Sequence, residues 1–405
     1  MGRNRPKGGL LGGSDILRIP DAPTISATAG NAQIEVAFTN PSDVGGGAIT
    51  SYTALALEGS NLTTASSSTT PVTITGLSNG TSYSVTGTAN NDFGASVQSS
   101  ASSVTPVLIT QEIGLFFNGF GSSQINQIDK ITITSAGNAT DFGDTSAASR
   151  RNCAFGGATR GIVHLGNIGA GGYSVTLEYV TFSTTGDTTD FGDLSVGRWY
   201  SAALTNPTRG VVGGGDSSSG RSNVMDYVTI ASAGNATDFG DLGTGADRPT
   251  AAASPTRGLF AGFVYSSNDN RIEYLTTASA GNATDFGDTS VGFSWGAAVS
   301  NSTRGCFALG NSFDLGYVDT IEYVTMASAG NSTDFGDLTL ARAALQGSSG
   351  KTRGCFGGAR DGSGNYQNTI DYITTASAGN ATDFGDLQQV KSEAGGCSSA
   401  HGGLQ

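Results

Sequence analysis

Asp-Phe-Gly is the triplet that can hold a magnesium ion against a nucleotide phosphate. This chain of 405 residues carries it as Asp-Phe-Gly-Asp six times, with Phe at 142, 191, 239, 286, 335 and 384. Phosphoryl transfer also needs a glycine-rich loop between strand and helix and a base on a catalytic loop. Neither accompanies any copy, and Gly213-Gly214-Gly215 and the glycine-rich stretch 169–172 lack that setting. Copies spaced by 49, 48, 47, 49 and 49 residues read as a structural unit, with Phe filling space between sheets and Asp and Gly turning the chain. With His164 and His401 as the two histidines, neither a Ser–His–Asp set nor a zinc spacing is available. Cys153, Cys306, Cys355 and Cys397 form no CxxC pair. Cys306 and Cys355 take a slot that holds Ile162, Val211 or Leu259 in other repeats, so they are expected as buried free thiols of a reducing compartment.

Other motifs dissolve the same way. Asn138, Asn235, Asn282, Asn331 and Asn380 each open Asn-x-Thr at the same point of five repeats, where a turn residue is wanted. Asp361-Gly-Ser-Gly-Asn365 alternates oxygen donors but lacks the distal Glu of a calcium loop. Paired glycosidase carboxylates have no diagnostic sequence spacing. The chain is therefore read as non-enzymatic, with no catalytic residue, metal or cofactor. The recurring arginines Arg160, Arg209, Arg257, Arg304 and Arg353, replaced by Ile113 in the first repeat, could ring an anion. One Asp per Arg (Asp141, Asp190, Asp238, Asp285, Asp334, Asp383) would neutralise that ring, so a structural Arg–carboxylate clamp is expected.

The elements that must position these residues are strands. Charged residues make up 13% of the chain against about 25% in ordinary domains, and Gly occupies 62 positions without a three-residue period. Each repeat offers a small-residue strand such as 341–345, the Thr-Arg-Gly strand, an Ile-Glu-Tyr-Val strand and the Asp-Phe-Gly-Asp strand. Ser-Ala-Gly-Asn-Ala-Thr makes the last hairpin turn. The first copy starts at its second strand, Glu112-Ile113-Gly114-Leu115-Phe116, and a surplus first strand follows the last copy at 392–399. Pairing the two would close a ring of sheets without an open edge.

Four strands per repeat, an Arg-led inner strand and a second strand ending Gly213-Gly214 or Gly357-Gly358 resemble the kelch family of β-propellers over residues 108–405. Kelch repeats usually carry Trp where this chain has Phe. Residues 20–107, with Ala22-Pro23, the Ile34/Val36/Phe38 alternation and Leu77-Ser78-Asn79-Gly80-Thr81-Ser82-Tyr83, resemble a fibronectin type III domain. The fold class expected is all-β: a fibronectin type III-like sandwich followed by a six-bladed kelch-like propeller whose C-terminal strand closes blade one. The repeat style is similar to that of virion proteins of marine tailed bacteriophages. That resemblance implies a head or tail appendage assembled in the host cytoplasm, a bacterial surface or secreted adhesin being the alternative and a glycan-acting enzyme the third.

Charge and surface residues complete the expectation. The net charge of −13 offers no broad field for nucleic acid, and no run reaches the roughly 18 apolar residues of a membrane span. Residues 1–19 form a basic, Gly-rich arm without an apolar signal region. Arg3, Arg5 and Lys7 would give this arm its charge contact and Leu10, Leu11, Ile16 and Leu17 its apolar contact with another virion protein. In the propeller, loops of the variable face carry Tyr173, Trp199, Tyr200, Tyr265, Trp295, Phe313, Tyr317 and Tyr366. Aromatic rings at loop tips suit stacking on host surface glycan, at an affinity raised by many copies per particle.

Overall fold

The structure, a computed structural model, describes residues 17–30, 32–106, 112–169, 172–263 and 269–404. It is all-β, and the one helical turn among the described residues is the 3₁₀ segment Gly402–Leu404. No helix there is long and apolar enough to cross a membrane. The chain divides into two compact units, one ending at Thr110 and one starting at Gln111. Arg3, Arg5, Lys7, Leu10, Leu11 and Ile16 lie outside the described residues, while Leu17 is exposed.

In the first unit, β1 (Thr24–Gly30), β2 (Gln33–Thr39) and β5 (Val72–Thr75) form one antiparallel sheet. The other contains β3 (Ser51–Glu58), β4 (Asn61–Ser67), β6 (Tyr83–Asn91), β7 (Gly94–Ala95) and β8 (Ser102–Val104). Every second residue of β2, β3 and β6 turns inward, so Ile34, Val36 and Ile74 share one core with Ala54, Ala56 and Val85. Tyr83 is buried beside that core, and its hydroxyl accepts a hydrogen bond from the Ser78 amide at 3.0 Å. That bond pins the corner which the Leu77-to-Tyr83 sequence anticipates.

The second unit repeats one antiparallel sheet. In a typical copy the order is Ala202–Thr205, Arg209–Gly213, Val224–Thr229 and Thr237–Asp241. The first and last parts of the unit share a sheet, because Gly395–Ser398 pairs antiparallel with Ile113–Phe120, Cys397 opposite Leu115. The first strands of successive sheets also neighbour one another in a cycle. Cys153–Gly156 lies beside Ala202–Thr205, then come Thr250–Ala253, Ala297–Ser300, Gln346–Ser349 and Gly395–Ser398, which returns to Cys153–Gly156. Side chains on this innermost layer are small because backbones crowd there. A Cβ on Gly396 would come within 2.3 Å of the Gly347 carbonyl oxygen.

Each gap between neighbouring sheets holds one apolar cluster headed by a buried Asp-Phe-Gly phenylalanine. Phe142 packs with Leu115 and Val163, and Phe384 with Phe116 and Cys355. A β-bulge aims the ring. In the last hairpin Gly385 pairs with Ile370 and Asp383 with Asp371, which leaves Phe384 as the extra residue. The bulge glycine also has no room for a side chain. Gly385 has φ 141°, and a Cβ there would sit 2.6 Å from the Gly137 carbonyl oxygen in the first repeat's turn.

The turn asparagines form the same joint. Asn138 Oδ1 accepts from the Asp386 amide at 3.1 Å, and Asn235, Asn282, Asn331 and Asn380 do likewise with Asp193, Asp241, Asp288 and Asp337. The Asn-x-Thr recurrence therefore marks a contact between repeats.

One expectation needs correction. Arg160, Arg209, Arg257, Arg304 and Arg353 do clamp, but no ion pair among the described residues joins them to Asp141, Asp190, Asp238, Asp285, Asp334 or Asp383. These aspartates are exposed. Each guanidinium instead lies over the tyrosine of its own sheet, Arg304 at 4.5 Å from the Tyr323 ring centre. It donates to a carbonyl in the next repeat: Arg209 to Ala278 at 2.9 Å, and Arg353 across the closure to Ile133 at 3.4 Å. The tyrosine is edge-on to the bulge phenylalanine, at 5.9 Å for Tyr323 and Phe335. Thr-Arg-Gly, Glu-Tyr and Asp-Phe-Gly thus recur together because Arg, Tyr and Phe stack as one column. In the first repeat Ile113 and Lys130 replace Arg and Tyr together.

The acid before each tyrosine, or before Lys130 in the first repeat, is buried: Asp129, Glu178, Asp226, Glu273, Glu322 and Asp371. Where it is Asp, a buried cation two residues before a tight bend reaches it: Lys391 to Asp129 at 2.8 Å, Arg198 to Asp226 at 2.9 Å, Arg342 to Asp371 at 3.1 Å. Where it is Glu, the cation's slot holds Ser149, Ala246 or Phe293. The longer carboxylate is then satisfied by Ser146 and Thr188, by the Gly243 amide, or by Ser290 and Ser332.

Candidate functional site

Two residues beyond the cation slot, each repeat places a non-glycine residue in the left-handed region: Arg151, Tyr200, Arg248, Trp295, Ala344 and Glu393, with φ between 53° and 61°. Such a conformation costs of order 1–3 kcal/mol for a bulky residue and persists where its surroundings over-determine it. Here the backbones of five of the six bond to one another in a row, Arg248 standing outside it. The Tyr200 amide donates to the Arg151 carbonyl at 3.0 Å, Arg151 to Glu393 at 2.8 Å, Glu393 to Ala344 at 3.2 Å, and Ala344 to Trp295 at 2.7 Å. The inner strands start just past these bends, at Gln346 rather than at 341 in the fifth sheet. The small-residue segment 341–345 contains a separate two-residue strand, Arg342–Ala343, paired with Arg360 and Asp361, and the bend at Ala344 parts it from the inner strand.

These six residues line the mouth of a cavity of about 120 Å³ whose walls are the starts of the inner strands. Their side chains interleave. The Arg151 guanidinium lies 4.5 Å from the Trp199 ring centre and 4.8 Å from that of Tyr200, and Arg248 lies 4.6 Å from Tyr200 and 5.0 Å from Trp295. Guanidinium faces are used on aromatic rings, which leaves the N–H edges for other partners. Glu393 sits between Arg150 and Arg151 at 4.0 and 3.6 Å and accepts from the Tyr200 hydroxyl at 3.2 Å. Burial, and then the Glu393 carboxylate, push the Tyr200 phenol up to about 12. Arg248 pairs with its neighbour Asp247 at 2.8 Å.

The structure gathers the aromatic residues expected on the variable face into small groups. Tyr173 stacks on Trp199 at 4.2 Å between ring centres, and both reach Asp216, Trp199 Nε1 at 3.1 Å and the Tyr173 hydroxyl at 3.4 Å. Trp295, Tyr317 and Tyr366 line a second hollow of about 100 Å³ with Phe120, Arg150 and Arg360. Phe313 is exposed and stands apart from both hollows. Tyr265 lies outside the described residues. Arg198, adjacent to Trp199 in sequence, is not a surface residue and turns inward to Asp226. Arg150, Arg151, Arg248, Glu393 and Phe120 were not anticipated. The recurrence of positions 151, 200, 248, 295, 344 and 393 at the repeat interval is the available signal, hidden because the six positions carry five residue types.

The opposite end of the inner strands is crossed by the C-terminal tail. His401 reaches the Gly156 carbonyl at 2.6 Å, and Gly402 and Gly403 press against Ala253, Asn301 and Thr205. His164 is buried and His401 half-buried, neither with a carboxylate partner among the described residues, and desolvation lowers both to about 4. No group of three or more His, Cys, Asp or Glu among the described residues is placed to hold a metal ion. Asp361 accepts from the Ser363 and Asn365 amides at 2.9 Å each, so its loop is an Asx-type turn.

The histidines predict an acid response. A folded-state value near 4 lies below the unfolded value of about 6.5, so the unfolded chain takes up protons first as the pH falls. The stability contributed by the neutral rings is complete above about 6.5 and is lost towards 4, by up to roughly 3 kcal/mol per ring. Melting curves from pH 7 to 4.5 should therefore show wild type and His401→Gln converging as the pH falls, and parallel curves would refute the assignment. No protein-family model matches the chain, and no curated protein matches it in sequence.

Proposed function

We propose that the chain is a non-enzymatic structural protein of a tailed-phage virion. On this reading the first unit is a fibronectin type III-like module and the second a six-bladed, kelch-like β-propeller that binds host surface glycan. Support for the propeller comes from the cyclic order of inner strands, the one apolar cluster per gap and the shared first and last sheet. The arm of residues 1–19 would tether the protein to another virion component, and assembly would take place in the host cytoplasm.

The observation that carries the binding role is the contrast between the two faces. One is built from the near-identical Ser-Ala-Gly-Asn turns locked on Asp-Phe-Gly-Asp strands. The other collects Tyr200 and Trp295 at the mouth of a cavity with partly exposed guanidiniums, Tyr317 and Tyr366 in the adjoining hollow, and Tyr173 stacked on Trp199. Rings that combine an apolar face with few rotatable bonds suit weak contacts with sugars, and display in many copies multiplies them.

Two measurements test this. Mass-spectrometric inventory of purified particles should contain the chain, and its absence would end the virion assignment. Replacing Tyr173, Tyr317 and Tyr366 together with Ala should leave the melting transition within a few degrees of wild type and cut adsorption of particles to host cells by about tenfold. Unchanged adsorption would reassign this face to packing.

A further inference from the structure

We infer that the mouth bounded by Arg151, Tyr200, Arg248, Trp295 and Glu393 is a pocket for a terminal sugar bearing a carboxylate. This deepens the glycan-binding reading above and rests on it.

Four features select that ligand. The pocket is blind, because the tail from His401 to Leu404 crosses the far end of the inner strands. A polysaccharide cannot thread it, so a chain end or a single branch residue must enter. Its size agrees, since about 120 Å³ is well below the roughly 300 Å³ at which pockets for drug-sized ligands begin.

Two donors at the mouth lack a partner, since Nε of Arg248 and Nε1 of Trp295 are buried without a hydrogen bond, while Nε of Arg150 and Arg151 face Glu393 Oε2 at 4.0 and 3.6 Å, too far for a hydrogen bond. Buried donors of this kind are costly to leave unpaired, and an acceptor-rich guest would satisfy them. The charged residues lining the cavity are two guanidiniums, Arg151 and Arg248, against one carboxylate, Glu393, with Arg150 and Asp247 behind them as ion-pair partners, in a chain of net charge −13. One negative charge is thus welcome, while Glu393 and Asp247 disfavour a dianion such as phosphate. Finally, the Trp295 ring also lines the adjoining aromatic hollow with Tyr317 and Tyr366, which offers apolar faces for a sugar whose carboxylate meets the arginine edges. The run of backbone hydrogen bonds from Trp295 through Ala344, Glu393 and Arg151 to Tyr200 holds these residues in place before the ligand arrives.

The test uses the full chain and calorimetric titration with glucuronate, galacturonate and N-acetylneuraminate, with methyl glucoside and inorganic phosphate as comparisons. At least one acidic sugar should bind with Kd on the order of 1 mM, and the neutral glucoside and phosphate at least about tenfold more weakly. Arg151→Gln and Arg248→Gln should each weaken the acidic sugar by about tenfold. Glu393→Gln should tighten it several-fold, because it removes the internal competitor for Arg150 and Arg151 while keeping an acceptor for Tyr200. If an arginine variant fails to fold, Glu393→Gln and the acidic-against-neutral comparison decide the matter alone. Failure of all three acidic sugars, equal binding of glucoside or phosphate, or unchanged or weaker binding by Glu393→Gln would overturn the pocket. Adsorption lost in the triple tyrosine variant without acidic-sugar binding would sink the pocket and leave the host-face reading. Acidic-sugar binding with unchanged adsorption would do the reverse.

Discussion

A chain ending at Lys391 should lose its single cooperative melting transition and aggregate on purification. Residues 392–405 supply the strand Gly395–Ser398, the partner of Ile113–Phe120 and the neighbour of both Cys153–Gly156 and Gln346–Ser349. Without it the Gly114–Phe117 backbone becomes a free sheet edge, which invites pairing with another chain. The loss also removes Cys397 from the cluster of Phe142, and with it the Ser348 hydroxyl's bond to the Cys397 carbonyl. Glu393, which carries the Arg151 amide bond and two arginine contacts at the mouth, goes as well. Single domains are stable by roughly 5–15 kcal/mol, and removing a central strand with its two neighbours' contacts is on that scale. Circular dichroism melting and size-exclusion chromatography of the truncated chain would check this. A monomer with the wild-type midpoint would mean that the pairing of first and last strands is not what holds the unit together.

That pairing was legible in the sequence because it rests on arithmetic: a strand missing before Ile113 and one left over after Glu393. The bulge phenylalanines were legible for the same reason, since one residue type returned at one interval. Partners without a residue type were not. The recurring arginines point to aspartates in a sequence because carboxylates are visible there, whereas the carbonyls of Ala278 or Ile133 that they bond are anonymous. The mouth was hidden for a related reason. What Arg151, Tyr200, Arg248, Trp295, Ala344 and Glu393 share is a backbone conformation, and only glycine or asparagine at those positions would have advertised it. The correlation of Asp with a buried cation and of Glu with a neutral slot stood in the sequence throughout. It acquires meaning once the structure shows that the two positions touch.

That correlation gives the last prediction. Lys391→Met should destabilise the second unit by about 3–5 kcal/mol, since it leaves a buried carboxylate without its counter-charge. Both members of the pair are fully buried, with Nζ 2.8 Å from Asp129 Oδ2 and 3.2 Å from the Phe116 carbonyl. Burial already raises Asp129 above the ordinary carboxylate value against the opposing pull of Lys391, and removing the lysine leaves only the weaker backbone bond at Gln388 to oppose desolvation. A group whose folded value is raised contributes most below its unfolded value of about 4 and loses that contribution as the pH rises through the folded one. The deficit of Lys391→Met should therefore be largest at neutral pH and shrink towards pH 4. Adding Asp129→Asn removes the stranded charge and should restore about half of the lost stability. The same logic assigns a smaller penalty to Phe293→Met, in a repeat where Glu322 is held by Ser290 and Ser332 and depends on no cation. Urea titrations of the three variants at pH 7 and pH 5 would measure these differences. A Lys391→Met deficit that is independent of pH, or no larger than that of Phe293→Met, would show that the closing sheet does not depend on this ion pair.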